Sequence, residues 1–305
     1  MKDTIYYKQA NLLLSILPLI NRFPHFALKG GTAINFFVRN LPRLSVDIDL
    51  TYLLLHERET ALADIMESLQ ALSVLISKRI PNVRITMKKA EREKRISALI
   101  INQKGITVKV EPNVVMRGTV FKPEKRTHCP SAQQLFERSV TSAMLSKADL
   151  YGGKICAALD RQHPRDFFDI YLLKQNEGFT EKIRKAFIVY LISHPRPMIE
   201  LLDANPRDIK QVYEKEFRGM SIQNVGLNDL VKTQRELIRG LNSWLTDRER
   251  QFMLSVKKTE PDWNLSGIKG IEKLPAVQWK LLNLRKMSKA KHRAAIEKLQ
   301  HYLES

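Results

Sequence analysis

Cysteine is almost missing from this sequence: its 305 residues contain only Cys129 and Cys156. The two stand far apart without a C-x-x-C spacing, which argues against a disulfide framework and a zinc site. Cys156, in an alanine-rich stretch, is expected to be a buried thiol. The seven histidines are scattered singly and offer no ligand pair. There is no internal repeat, no low-complexity linker, and no long apolar segment or lipidation motif that would call for a membrane. The apolar run Leu12 to Ile20 is interrupted by Ser15 and Pro18, and no small-residue cleavage site follows it. It reads as the first amphipathic helix of a soluble, cytoplasmic protein. Acidic side chains are also in short supply: 32 Asp and Glu face 51 Lys and Arg, for a formal charge of +19. Between Lys78 and Lys109 ten Lys or Arg stand against Glu91 and Glu93 alone, many of them in the expected hairpin linker Lys88–Arg95. Such an excess exceeds what solubility needs and points to a polyanionic partner, RNA or DNA.

Against that background two acids stand out. In Arg43-Leu-Ser-Val-Asp-Ile-Asp-Leu50, apolar Val46, Ile48 and Leu50 alternate with polar Ser45, Asp47 and Asp49, the period of a half-buried strand. Asp47 and Asp49 then share one face. Like charges so placed repel, and a hard divalent cation that also takes phosphate oxygens removes the repulsion. Upstream, His25 to Leu28 reads as a short strand, and Lys29-Gly30-Gly31-Thr32 breaks it before a helical stretch, Ala33 to Val38. Glycines between strand and helix let a phosphate approach the backbone at the positive end of the helix. Thr32 is placed as an N-cap or as a phosphate contact.

Further strands are expected at Val83–Met87, Ile96–Ile101 and Ile106–Glu111, with a turn at Asn102–Gly105 and a stop at Pro112. In the last of them Thr107, Lys109 and Glu111 share a face. Glu111 either completes a metal cluster with the two aspartates or is a strand-end glutamate paired with a neighbouring lysine. Downstream, Ser146 is a credible N-cap for a helix Lys147–Arg161 with Tyr151, Ile155 and Leu159 on its apolar stripe. Gly152-Gly153 inside it costs roughly 1 kcal/mol each against alanine, so something should pack closely there, another helix or a ligand. Lys154 follows, suited to a triphosphate. Pro164 opens a second helix that places Asp166 and Asp169 on one face and Phe168 and Leu172 toward a core. The local alternative for Arg165 and Asp169 is an exposed i, i+4 ion pair.

These motifs, Gly30-Gly31-Thr32, Arg43-x-Ser45, Asp47-x-Asp49 and Lys154 followed by Arg165-Asp166-x-x-Asp169, resemble the nucleotidyltransferase superfamily and within it the AbiEii family of abortive-infection and toxin–antitoxin enzymes. The likeness covers roughly residues 20–175, and the run Pro275-Ala-Val-Gln-Trp-Lys-Leu-Leu-Asn-Leu284 is similar to the family as well. The resemblance implies an α/β, two-lobed nucleotidyltransferase fold: a mixed-sheet core lobe over residues 1–130 and a mostly helical lobe over 131–305 completing the active-site cleft. It implies an NTP substrate and Mg²⁺ held by Asp47 and Asp49, with Glu111 the candidate third ligand. Gly30, Gly31, Thr32, Arg43, Ser45 and Asp166 would line the nucleotide site, with Lys154 on the phosphates and Asp169 orienting Lys154 or a reacting hydroxyl. It also implies a toxin acting on RNA, the tRNA 3′ end foremost, with a separately encoded antitoxin. The rivals are a nucleotidyltransferase acting on a protein or small molecule, disfavoured for cationic drugs by the positive charge, and an inactive RNA- or nucleotide-binding relative.

After about residue 131 helical spacing dominates, with helices expected at Thr180–Ile192, Leu227–Asn242, Glu249–Lys257, Pro275–Arg285 and Lys289–Leu303. Trp279, Leu282 and Leu284 are expected in the core. Arg285, Lys286, Lys289, Lys291 and Arg293 would extend the basic surface.

Overall fold

A computed structural model describes residues 4–89 and 95–304. Two compact units emerge, one of residues 1–150 with 219–223, the other of residues 151–218 with 224–305. The division therefore falls after Leu150 rather than after residue 130, because the stretch between completes the first unit's sheet.

That sheet has seven strands, β1 (Phe26–Lys29), β2 (Asp47–Tyr52), β3 (Val83–Lys89), β4 (Ile96–Gln103), β5 (Ile106–Asn113), β6 (Glu124–Thr127) and β7 (Thr141–Met144), in the order β3-β4-β5-β2-β1-β7-β6. It is mixed: β2 runs parallel to β5 and β1 to β7, and the other neighbours are antiparallel. Helix α1 (Ile5–Ile20) buries Leu13, Leu14, Ile16 and Leu17 against β5 and β7, with Thr4 capping its first turn. Helix α2 (Gly30–Ala33) continues directly into a wider π-wound turn, Ile34–Val38.

Two expectations for this unit are corrected. Strands were expected to dominate residues 25–116, yet the interval holds α3 (Arg58–Arg79), whose buried Ala61, Leu62, Ile65, Leu69, Leu72 and Ile76 recur at helical spacing and lie against β3 and β4. By length and composition alone α3 could cross a membrane, so a long apolar segment does exist; its packing against the sheet is that of a core helix. Pro112 does not stop β5, which continues to Asn113 against β2. Pairing with β4 has already ended at Val110, so proline's missing N–H falls where β5 has no neighbour on that side.

The basic hairpin is described in part. Lys88 and Lys89 belong to edge strand β3, and Arg95 pairs with Glu59 at 2.5 Å. Lys94, with the rest of residues 90–94, lies outside the described residues. A short helix α4 (Pro130–Phe136) precedes β7.

The second unit is helical: α5 (Lys147–Arg161, entering from the first unit), α6 (Pro164–Asn176), α7 (Glu181–Ile192), α8 (Met198–Leu202), α9 (Lys210–Glu216), α10 (Leu227–Trp244), α11 (Asp247–Lys257), α12 (Trp263–Ser266), α13 (Pro275–Arg285) and α14 (Lys289–Glu304). The expected starts have the expected chemistry. Ser146 accepts from the Asp149 N–H at 3.1 Å, Thr180 caps α7, and Thr246 and Glu249 form a capping box at α11. Gly240 stays inside α10, which runs two residues past the expected end at Asn242, to Trp244. Tyr151, Ile155 and Leu159 are buried, as are Phe168 and Leu172. Both cysteines are buried and unbridged, and burial pushes the Cys156 thiol up.

Candidate active site

In the first unit the two glycines, the Arg-x-Ser segment and the D-x-D strand close on one another. β1 pairs antiparallel with β2, so Lys29, the last strand residue before the turn, lies opposite Asp49. Gly30 then adopts φ +73°, open to glycine at little cost, and a Cβ there would stand 2.5 Å from Asp49 Oδ2. At Gly31 a Cβ would meet an Arg43 guanidinium nitrogen at 2.7 Å and Ser45 Oγ at 3.2 Å. The glycines are required because carboxylate and guanidinium press against the bare backbone. Gly31→Val should therefore displace Arg43 and reduce activity well over tenfold, with a loss of roughly 1–3 kcal/mol of stability, checked by NTP-labelling rate and denaturant unfolding.

Side chains lock this arrangement. Thr32 Oγ1 donates to the Asp47 carbonyl at 2.6 Å and lies 2.9 Å from Ser45 Oγ, and Asn35 Nδ2 donates to the Gly31 carbonyl at 2.9 Å. Thr32 is not the N-cap: the helix starts at Gly30, Lys29 occupies the cap position without a side-chain bond, and the buried Thr32 hydroxyl ties turn to strand. Arg43, buried, donates to the Leu44 carbonyl at 3.1 Å. Its segment is held by residues 219–223, which sequence reasoning passed over. Leu44 N–H donates to the Met220 carbonyl at 3.0 Å, Ile222 N–H to the Pro42 carbonyl at 2.8 Å, and Arg43 bridges Ser221.

On β2 the expected alternation holds: Ile48 and Leu50 are fully buried while Asp47 and Asp49 are half-buried on the other face. Parallel pairing with β5 sets Asp47 opposite Lys109 and Asp49 opposite Glu111. Glu111 thus reaches the right face and register, but its carboxylate is drawn to Lys109. Among the described residues no three His, Cys, Asp or Glu gather closely enough to hold a metal ion, so the ready donor set is the two aspartates. Two carboxylates plus substrate phosphates suit a cation that keeps part of its own hydration. Lys29 and Lys109, each opposite one of the two acids, were not picked out from the sequence. The signal was available in their position at the strand ends beside the glycines and on the Glu111 face.

In the second unit Lys154, Asp166 and Asp169 meet. Lys154 Nζ lies 2.8 Å from Asp166 Oδ1 and 3.0 Å from Asp169 Oδ2; the lysine is 6% exposed and both acids 0%. Arg161 adds two bonds to Asp166, at 2.5 and 2.8 Å. Burial alone would push the Asp166 carboxyl up, but the Lys154 and Arg161 charges and hydrogen bonds hold it well below the usual carboxylate range. The exposed Arg165–Asp169 pair is thereby excluded: Asp169 turns inward to Lys154, and Arg165 faces Glu216. The close packing expected at the second glycine pair comes from a helix, since a Cβ on Gly152 would stand 2.7 Å from Ala186 Cβ and from the Phe187 nitrogen of α7.

The sequence matches, over residues 11–280, the family described as nucleotidyl transferase AbiEii toxin of type IV toxin–antitoxin systems. The chain belongs to the AbiEii family. It is a nucleotidyltransferase toxin of a type IV toxin–antitoxin system, which implies an NTP substrate and a cognate antitoxin; nucleotidyltransferases generally work with a divalent metal. No curated protein matches the sequence. Among solved structures the fold is similar to MenT4, a nucleotidyltransferase toxin from Mycobacterium tuberculosis H37Rv, with a TM-score of 0.60 at 13% identity over 92% of this chain and 93% of that one. The Gly-Gly-Thr, Arg-x-Ser, Asp-x-Asp and Lys154 to Asp169 motifs fall inside the matched span, which ends within the Pro275–Leu284 run.

Proposed function

We propose that this AbiEii toxin transfers a nucleoside monophosphate from an NTP to RNA, at the 3′ end of tRNA, in the cytoplasm, and so blocks translation. The observation that carries the reading is the closure of the Gly30-Gly31 turn on Asp49 and Arg43, which sets bare backbone, a guanidinium and two co-facial carboxylates side by side. Asp47 and Asp49 would hold Mg²⁺, which supplies charge neutralisation at the triphosphate. Glu111, opposite Asp49, is the third acid of that face. Gly30, Gly31 and Arg43 would receive phosphate oxygens, and Thr32 and Ser45 would keep the turn in place. In the helical unit Lys154 is assigned to phosphate contact, with Asp169 and Asp166 holding its ammonium charge. The acceptor hydroxyl forms a bond to the α-phosphorus as the bond to pyrophosphate breaks, and positioning and electrostatics supply most of the rate.

The net charge of +19 favours an RNA acceptor over a cationic small molecule. The test is incubation with each labelled NTP, Mg²⁺ and total RNA, followed by a denaturing gel. Label in the tRNA band, abolished by EDTA, is expected. RNA affinity should fall steeply with salt, about a thousandfold between 50 and 200 mM for some six phosphate contacts on a duplex. Label on protein with RNA untouched would replace this reading by the rival acceptor.

A further inference from the structure

Helix α13 departs from the sequence expectation in one respect. Trp279 and Leu282 were expected in the core with Leu284, but only Leu284 is buried; Trp279 is 49% and Leu282 42% exposed. Trp279 is the only exposed tryptophan or phenylalanine among the described residues. Its orientation is fixed from beneath. Ala276, Val277, Leu281 and Leu284 bury the opposite face, and the buried Lys280 donates to the His194 and Arg196 carbonyls at 2.7 and 2.8 Å. With its neighbour anchored so, the indole has no route into the core. Leu282, Asn283 and Lys286 follow on the same outer face at helical spacing.

The surroundings are cationic and uncompensated. Residues 269–298 hold nine Lys or Arg against Glu272 and Glu297 alone. Arg293 takes Glu297 at 2.9 Å, whereas Arg285, Lys286, Lys289 and Lys291, all exposed, make no ion pair among the described residues. Exposed cations on other helix faces pair with an acid one turn away in Lys232–Glu236 and Arg293–Glu297. An apolar peptide would want a wider greasy floor than Leu282 and Met287 provide, and four cations without ion pairs within twelve residues of Trp279 disfavour a neutral partner. An exposed indole with Lys286 on the same helical face, and with Arg285, Lys289 and Lys291 close along the chain, suits unpaired bases on a phosphate backbone.

We infer that the outer face of α13 binds single-stranded RNA, with Trp279 stacking an unpaired base and Arg285, Lys286, Lys289 and Lys291 taking adjacent phosphates. The inference rests on the RNA-acceptor reading and adds to it a specific contact surface. The test measures binding of a short unstructured RNA to the full-length protein by anisotropy, together with the RNA KM for labelling. Trp279→Ala should weaken binding about tenfold and raise the RNA KM to match, while Trp279→Phe retains most of the affinity and NTP affinity stays unchanged. Replacing Arg285, Lys286, Lys289 and Lys291 by Gln should shallow the salt dependence by two to three units of log–log slope, at about 0.7 per phosphate on single strands. Thermal unfolding should move little, because about half of Trp279 is exposed. If the wild type binds and labels RNA but Trp279→Ala does so with unchanged affinity and KM, this surface is excluded and the acceptor reading stands. If the wild type binds no RNA, both fall. A concentration-dependent blue shift of Trp279 emission without RNA would assign the face to self-association and overturn the inference.

Discussion

Asp47→Asn is expected to abolish nucleotide transfer while leaving the protein folded. The two effects have separate origins. The lock between turn and strand uses the Asp47 backbone carbonyl, which accepts from Thr32 and survives the substitution. The side chain is half-buried beside Asp49, and asparagine keeps its shape while removing its charge. What is lost is a carboxylate for the cation and phosphates, a loss expected to reduce turnover roughly a thousandfold or more. Asp49→Asn should behave likewise. Glu111→Gln, whose carboxylate is already engaged with Lys109, should cost less than either. Labelled-NTP turnover read beside the unfolding midpoint decides it. Normal turnover in Asp47→Asn and Asp49→Asn would remove the metal role from this strand.

Lys154→Met is expected to do the opposite to the fold. Sequence spacing alone suggests a surface lysine whose loss leaves stability nearly untouched. The structure buries it between two fully buried aspartates, and removing it takes a cation from both and leaves Asp166 to Arg161; breaking a buried pair in this way is expected to cost about 3–5 kcal/mol. The pH dependence carries a sign that can be checked. In the wild type Asp166 is held below its ordinary value, so its stabilisation is fully present above the usual carboxylate range and is lost only as pH falls below it. In Lys154→Met the lysine charge is gone and the Asp166 carboxyl is held down less, so the deficit is largest at neutral pH and narrows as the pH falls through and below the usual carboxylate range. Denaturant unfolding across that range measures it. Replacing Lys154, Asp166 and Asp169 together by apolar residues should restore much of the stability. Transfer per folded molecule in that variant then reports the chemistry: if it stays at the wild-type level, the cluster only holds α5 to α6.

The parts of this protein legible in its sequence are those governed by neighbouring residues. Period-two alternation put Asp47 and Asp49 on one face of a strand, because side chains alternate along any strand whatever it pairs with. A glycine pair between strand and helix marked a turn needing positive φ and close approach, and Gly30 has both. Helix starts at Lys147, Pro164 and Pro275 followed from caps and proline, which act within one turn. α3 was equally legible by its spacing, but its neighbouring strands masked it.

Other features required the chain to return on itself. Register, which brings Glu111 opposite Asp49 and Lys109 opposite Asp47, depends on how β5 slides along β2. The segment 219–223 fixes Arg43 from far along the chain, and no local pattern announces it. Burial of Lys154 and exposure of Trp279 reverse the simplest reading of a lysine and a tryptophan. A periodic pattern says which residues share a face, but what covers that face is decided by other elements. α6 brings two carboxylates to Lys154, while the outer side of α13 leaves Trp279 and Leu282 exposed.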